Sequence, residues 1–174
     1  EAVRALGRLT GMAVPILYMP MVIISPIIRV LEPTVANRRA HAGSQAIRPI
    51  VMKAFASTAV ISCLASATFL VLPERLGQIL YNVNGLGDII RPLAVAAPFA
   101  YFGYVTSGVL YGLGRTGTVM INSAAGNMAR LLLIWALAHR PEWGIIGVTW
   151  AVVADYAVSA ILNVIVLPVA ARRR

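Results

Sequence analysis

Residues 111–133 read YGLGRTGTVMINSAAGNMARLLL. A hydrophobic run ends at Tyr111, a tight glycine loop carries a single Arg115, and a second hydrophobic run begins at once. That second run sets Asn122, Asn127 and Arg130 inside a segment long enough to lie in lipid. A charge at that depth costs about 2.5–3.5 kcal/mol on insertion scales. A membrane helix keeps such a group only where it faces a partner or a water-filled cavity, so packing and function must meet here.

Composition agrees with the membrane reading. The chain of 174 residues is 59% hydrophobic and 12% charged, against about 25% charged residues in a soluble domain. Its apolar residues cluster into runs of about 20, the length needed to cross a bilayer. The fold expected is all-α, a polytopic bundle of about five transmembrane helices in one membrane domain covering 1–174. The expected spans are 11–34, 49–72, 89–112, 117–139 and 144–169, with a polar linker at 37–48 and a polar loop at 73–90.

Pro15, Pro20 and Pro26 interrupt the first span. Each removes a backbone donor, so a bend is expected near Pro20 or Pro26. The net charge of +9 is dispersed between spans without aromatic interleaving, which gives no nucleic-acid signal. Cys63 is the only cysteine and lies in an apolar run, so neither a disulfide nor a cysteine-based metal site is available. The chain begins at a glutamate with no signal peptide, and a piece of a longer protein is expected.

Loop charge orients the spans. Arg38, Arg39, Arg48, Lys53, Arg115 and Arg172–Arg174 collect on one side. Arg4, Arg8, Arg75, Arg91 and Arg140, offset by Glu1, Glu74, Asp88 and Glu142, lie on the other. The first set is expected in the cytoplasm, with the N-terminus outside. Trp143 and Trp150 stand where an interfacial aromatic belt would put them.

Gly112-Leu113-Gly114-Arg115-Thr116-Gly117 matches the dinucleotide pattern GxGxxG letter for letter. That pattern needs a strand before it, and here a membrane helix precedes it. A tight interhelical turn with glycine caps is the reading it supports.

Tyr18, Ser25, Arg29 and Glu32 recur at helical spacing in the first span. They form either a polar wall of a substrate path, or an interfacial Arg29–Glu32 ion pair with snorkelling side chains. Tyr101, Tyr104 and Tyr111 share a face of the third span, for stacking on sugar rings or for helix packing. Asp155, Ser159 and Asn163 make a polar stripe on the fifth span, and Ala154, Ala157 and Ala160 offer small surfaces for close helix approach. His41 and His139 stand alone, and solvation is expected for both.

At 1.5 Å per residue Arg130 lies about 13 Å, and Asp155 about 16 Å, from the connector joining their helices. The two charges reach nearly the same depth. They are expected to pair directly or through water, or else to face the cavity separately. No carboxylate pair, nucleophile–base couple or metal-ligand cluster is present in the sequence, and neither an enzymatic role nor a cofactor is expected.

The turn also carries a family resemblance. Leu110-Tyr111-Gly112-Leu113-Gly114-Arg115, followed by Met120-Ile121-Asn122, resembles the "LQGLGK…PMIN" turn of the stage V sporulation protein B group. These are MATE-like polysaccharide and lipid flippases of the multidrug/oligosaccharidyl-lipid/polysaccharide exporter superfamily. Gly7 to Pro15, reading GRLTGMAVP, and Pro33-Thr34-Val35-Ala36 look like that group's "GKLTGMALP…VPAIS" helix. The resemblance runs nearly end to end.

It implies part of the C-terminal lobe of a transporter with two six-helix lobes around a central cavity, and a missing N-terminal lobe as partner. It implies alternating-access export of a lipid-linked saccharide, a cell-wall or spore-cortex precursor, across a bacterial plasma membrane, with membrane lipids as further partners. In such flippases basic residues attract the lipid diphosphate. The first span has no basic residue before Arg29, so that site is expected mainly on the other lobe. The substrate-path residues expected on this chain are Arg29, Glu32, Tyr101, Tyr104, Asn122 and Asn127, with Arg130 and Asp155 as an intramembrane pair. The alternatives are a drug or cation antiporter in which Asp155 exchanges protons, and a non-transporting membrane scaffold.

Overall fold

The structure is a computed structural model that describes residues 2–138 and 143–172. Expectations attached to His139, to the connector residues 139–142 and to Arg173 and Arg174 fall outside these residues. The described chain is helical with no strand. Its elements are α1 (Ala2–Arg8), a π-helical stretch (Leu9–Ala13), α2 (Val14–Tyr18) and α3 (Met21–Ala42). They continue with a 3-10 turn (Ser44–Ala46), α4 (Arg48–Val71), α5 (Pro73–Tyr81), α6 (Gly87–Gly112), α7 (Thr116–Ala138) and α8 (Gly144–Arg172). Among the described residues four helices are long and apolar enough to cross a membrane, and the bent pair 3–18 and 21–42, counted as one broken span, would make a fifth. The protein is a multi-pass membrane bundle.

Helix α6 is its axis. In its most apolar window 61% of residues are buried, against 17% in α7, so α6 packs within protein while α7 turns most of its surface outward. Ala94, Ala96, Ala97 and Ala100 are buried along α6. Their small side chains let α3, α4 and α8 close around it, as lipid-embedded helices require in the absence of a hydrophobic drive between them. Helix α7 packs mainly on α8. Ile121, Leu131, Leu132 and Trp135 of α7 and Leu64 and Val71 of α4 are exposed, the apolar exterior that a bilayer solvates.

The bend falls at Pro20, where the two halves of the first span meet at 55°. Pro20 has no N–H, so Ile16 O accepts from Met19 N instead, at 3.2 Å. The hydroxyl of Tyr101, itself fully buried, donates to Leu17 O at 2.7 Å. Freed carbonyls at a membrane kink must find a neighbour's donor, and Tyr101 supplies one. Helix α3 continues through Pro26 and Pro33 without a break.

Two expectations on connectors are corrected. The linker expected at 37–48 starts late, because α3 runs on to Ala42 and stops at Gly43 with φ of 75°. Arg39 occupies its last turn, where a cation complements the helix dipole. The loop expected at 73–90 contains α5. Pro73 opens that helix in its first turn, where proline costs no hydrogen bond. Glu74 then accepts from Gly85 N at 3.0 Å and Gly87 N at 2.9 Å, folding the turn residues back on α5.

The glycine loop is a helix C-cap. Gly114 has φ of 70°; Arg115 N donates to Leu110 O and Gly114 N to Tyr111 O, both at 2.8 Å. This is the Schellman pair of bonds, with glycine at the left-handed position. Arg39 reaches over from α3 and donates to Leu113 O at 2.7 Å, so the turn is also tied to the first span.

Candidate functional site: a polar cavity between the spans

A cavity of about 290 Å³ opens between α2, α6, α7 and α8. Its polar lining comprises Tyr18, Tyr104, Tyr156, Ser107, Ser123, Ser159, Asn127, Asn163, Arg130 and Asp155, with Phe99, Ala100 and Gly103 completing the wall. Among the described residues Arg130 and Asp155 are its only charged groups, so their formal charges sum to zero.

The cavity follows from the α7–α8 contact. The stripe Asp155, Ser159, Asn163 advances four residues at a time, which keeps it on one face of α8. Gly126 of α7 sits against that stripe. A Cβ there would collide with Ser159 Oγ and lie 2.6 Å from Asp155 Oδ1, so only glycine permits this approach. One turn on, Arg130 Nη1 lies 3.8 Å from Asp155 Oδ2. That distance makes an ion pair and exceeds a hydrogen bond. The Arg130 side chain is 38% exposed and that of Asp155 14%, so the guanidinium stands at the rim and the carboxylate deeper in.

Below the pair, one hydrogen-bond chain ties three spans. Asn122 Nδ2 donates to Asn163 Oδ1 at 2.8 Å, Asn163 Nδ2 to Ser107 Oγ at 2.9 Å, and Ser107 Oγ to Gly103 O at 2.8 Å. Ser159 Oγ reaches the carbonyl of Asn122 at 3.4 Å. No buried side-chain nitrogen or oxygen among the described residues lacks a partner, as a low-dielectric interior demands. Opposite, the Tyr18 and Tyr156 hydroxyls share a hydrogen bond, and the Tyr104 phenol lies against that of Tyr18.

The structure brings together four of the expected residues, Tyr104, Asn127, Arg130 and Asp155, in the wall. Asn122 is buried just behind it, holding Asn163. Three others are elsewhere. Tyr101 braces the Pro20 kink from the core, because its face of α6 turns toward α2 and α3. Arg29 and Glu32 are exposed on α3, outside the cavity, and the ion pair found among the described residues is Arg130–Asp155. The 55° bend separates Tyr18 from Arg29 and Glu32, so an arrangement drawn on a straight helix places them wrongly.

Sequence reasoning gave no site role to Tyr156 and Ser107. Tyr156 follows Asp155 directly, and Ser107 lies three residues after Tyr104, a spacing that shares a helix face. Among the described residues no cluster of three metal-ligating side chains occurs.

No family model and no solved structure matches the chain. It is similar to "Stage V sporulation protein B" of Bacillus subtilis (strain 168), with 25% identity over 162 residues. The match covers 93% of this chain but 31% of that protein, so the chain spans about a third of the length of its relative. The resemblance to the stage V sporulation protein B group, carried by the glycine turn and the first span, is therefore shared by the chain as a whole.

Proposed function

We propose that the chain is part of one lobe of a membrane flippase for a lipid-linked saccharide, and that the polar cavity receives the sugar head. The wall's chemistry carries this reading. Arg130 and Asp155 neutralise each other, and the rest of the polar wall is hydroxyls and amides on four spans. Such groups both donate and accept, as the hydroxyls of a sugar do, and tyrosine rings suit sugar faces. A cavity for cationic drugs would instead carry uncompensated carboxylate; here Asp155 already has a fixed counter-ion.

The resemblance to the stage V sporulation protein B group, with a match to one such protein over 93% of this chain, implies a membrane transport role and a two-lobe architecture. In that architecture the second lobe completes the cavity, and rocking of the lobes about a midplane site moves the head group. The diphosphate then falls to the second lobe, since this wall holds no unpaired cation.

The test is site-specific photocrosslinking. A crosslinking amino acid at Asn127, in membranes containing a labelled undecaprenyl-diphosphate saccharide, should capture label, and the same group at lipid-facing Leu132 should not. Unglycosylated undecaprenyl phosphate should compete poorly. Equal capture at both positions, or none at Asn127, would remove the proposal.

A further inference from the structure

A second cavity, of about 600 Å³, lies at the other side of α6. It is a groove with α6 as its floor, at Val109 and Leu113, and with the start of α4 and the end of α8 as its walls. Its polarity is graded. Gln45 and Arg48 stand at the mouth, where α4 begins, and Val51 and Phe55 follow along one wall. At 1.5 Å per residue, Phe55 lies about 10 Å deeper than Arg48. Phe55 is fixed edge-on to Phe102, with ring centroids 5.8 Å apart, so the wall is packed from behind.

Among the described residues Arg48 is the single charged side chain in the lining, is exposed, and has no ion pair. Arg39 holds the Leu113 carbonyl at 2.7 Å, which brings a second guanidinium to the same end of α6. Glu32 belongs to the α3 side of α6, where its backbone meets Gly112, and does not line the groove.

We infer that this groove holds one acyl chain of an anionic phospholipid, with the phosphate on Arg48 and the Gln45 amide beside it. The grading selects this occupant: a cation at interface level with an apolar channel running inward complements a lipid whose phosphate and chain are stacked the same way. A basic recess between transmembrane helices is a recognised setting for anionic head groups. A single acyl chain, one methylene wide, fits a recess of about 600 Å³. This lipid would sit apart from the polar cavity, and the inference does not depend on what that cavity transports.

The experiment is native mass spectrometry of the chain extracted from mixed micelles holding dioleoyl phosphatidylglycerol and dioleoyl phosphatidylcholine at equal mole fraction. The acyl chains match, so only the head group differs. The wild-type chain should retain one phosphatidylglycerol, preferred about fivefold for one arginine contact. Arg48→Gln should abolish the preference and Arg48→Lys should keep most of it. Val51→Trp, which fills the groove, should release both lipids while helicity by circular dichroism stays at the wild-type level. Equal retention of the two lipids by the wild-type chain, an undiminished preference in Arg48→Gln, or full retention by a helical Val51→Trp would each overturn the inference. The first of these needs no variant and stands even if both substitutions unfold.

Discussion

Two polar stripes were legible in this chain, and only one survives folding as a stripe. Tyr18, Ser25, Arg29 and Glu32 on the first span and Asp155, Ser159 and Asn163 on the last follow the same spacing logic. On α8 the helix is unbroken around them, and all three side chains reach one cavity. On the first span the chain bends by 55° between Tyr18 and the rest. Tyr18 reaches the cavity, and Arg29 and Glu32 end on the outside. Helical periodicity transmits a face only as far as the hydrogen-bond ladder continues, and the break at Pro20 ends that inheritance.

The largest expected effect comes from pressing on the intact stripe. Gly126→Leu would drive a side chain into Ser159 and Asp155. Overpacking of this kind costs about 1–3 kcal/mol, and the forced separation of α7 from α8 should place the variant at the top of that range. Gly117→Leu, with nothing within 4 Å of its Cβ, is the matched control and should be near neutral. Thermal unfolding in detergent would compare them, and equal losses would mean that the α7–α8 approach is looser than described.

The broken stripe depends on its brace. Tyr101→Phe removes the one donor at Leu17 O and leaves a buried carbonyl unpaired, which should cost about 1–2 kcal/mol. Spin labels flanking Pro20 would report a change in the bend angle. An unchanged stability and angle would show that the kink closes without Tyr101.

The smallest effect belongs to the residues that the bend expelled. Arg29→Ala should alter stability by less than about 0.5 kcal/mol, as expected of a solvated surface change, and should leave saccharide crosslinking at Asn127 untouched. A loss of crosslinking would return Arg29 to the substrate path.

The same contrast explains how much the sequence disclosed. The spans were legible because runs of apolar residues of bilayer length have few other fates, and the glycine turn because Gly114 sits where only a left-handed residue closes the cap. Proline marked the bend, although choosing Pro20 over Pro26 needed the partner, since the brace at Leu17 comes from a residue 84 positions away. Helix α5 was read as loop because Asn82, Asn84, Gly85 and Gly87 dominate the count; the helix ahead of them is nine residues long and is tied back by Glu74. In the site, depth could be computed from residue rise, so Arg130 and Asp155 could be placed at one level. Rotation about the helix axis could not, and rotation separates Tyr104 in the cavity wall from Tyr101 in the core.

That depth argument joins the stripe to the cavity, so the Arg130–Asp155 contact is the point to test. A double-mutant cycle on Arg130→Ala and Asp155→Ala, read as unfolding free energy in detergent, addresses it directly. Each charge is the other's fixed partner at 3.8 Å, with solvent reaching the arginine more than the carboxylate. Removing Arg130 alone should therefore destabilise the bundle more than removing both, with a coupling of about 1 kcal/mol, in the range seen for contacting residues. Two losses that simply add would show that the charges face the cavity independently, and the contact on which the site is built would not exist.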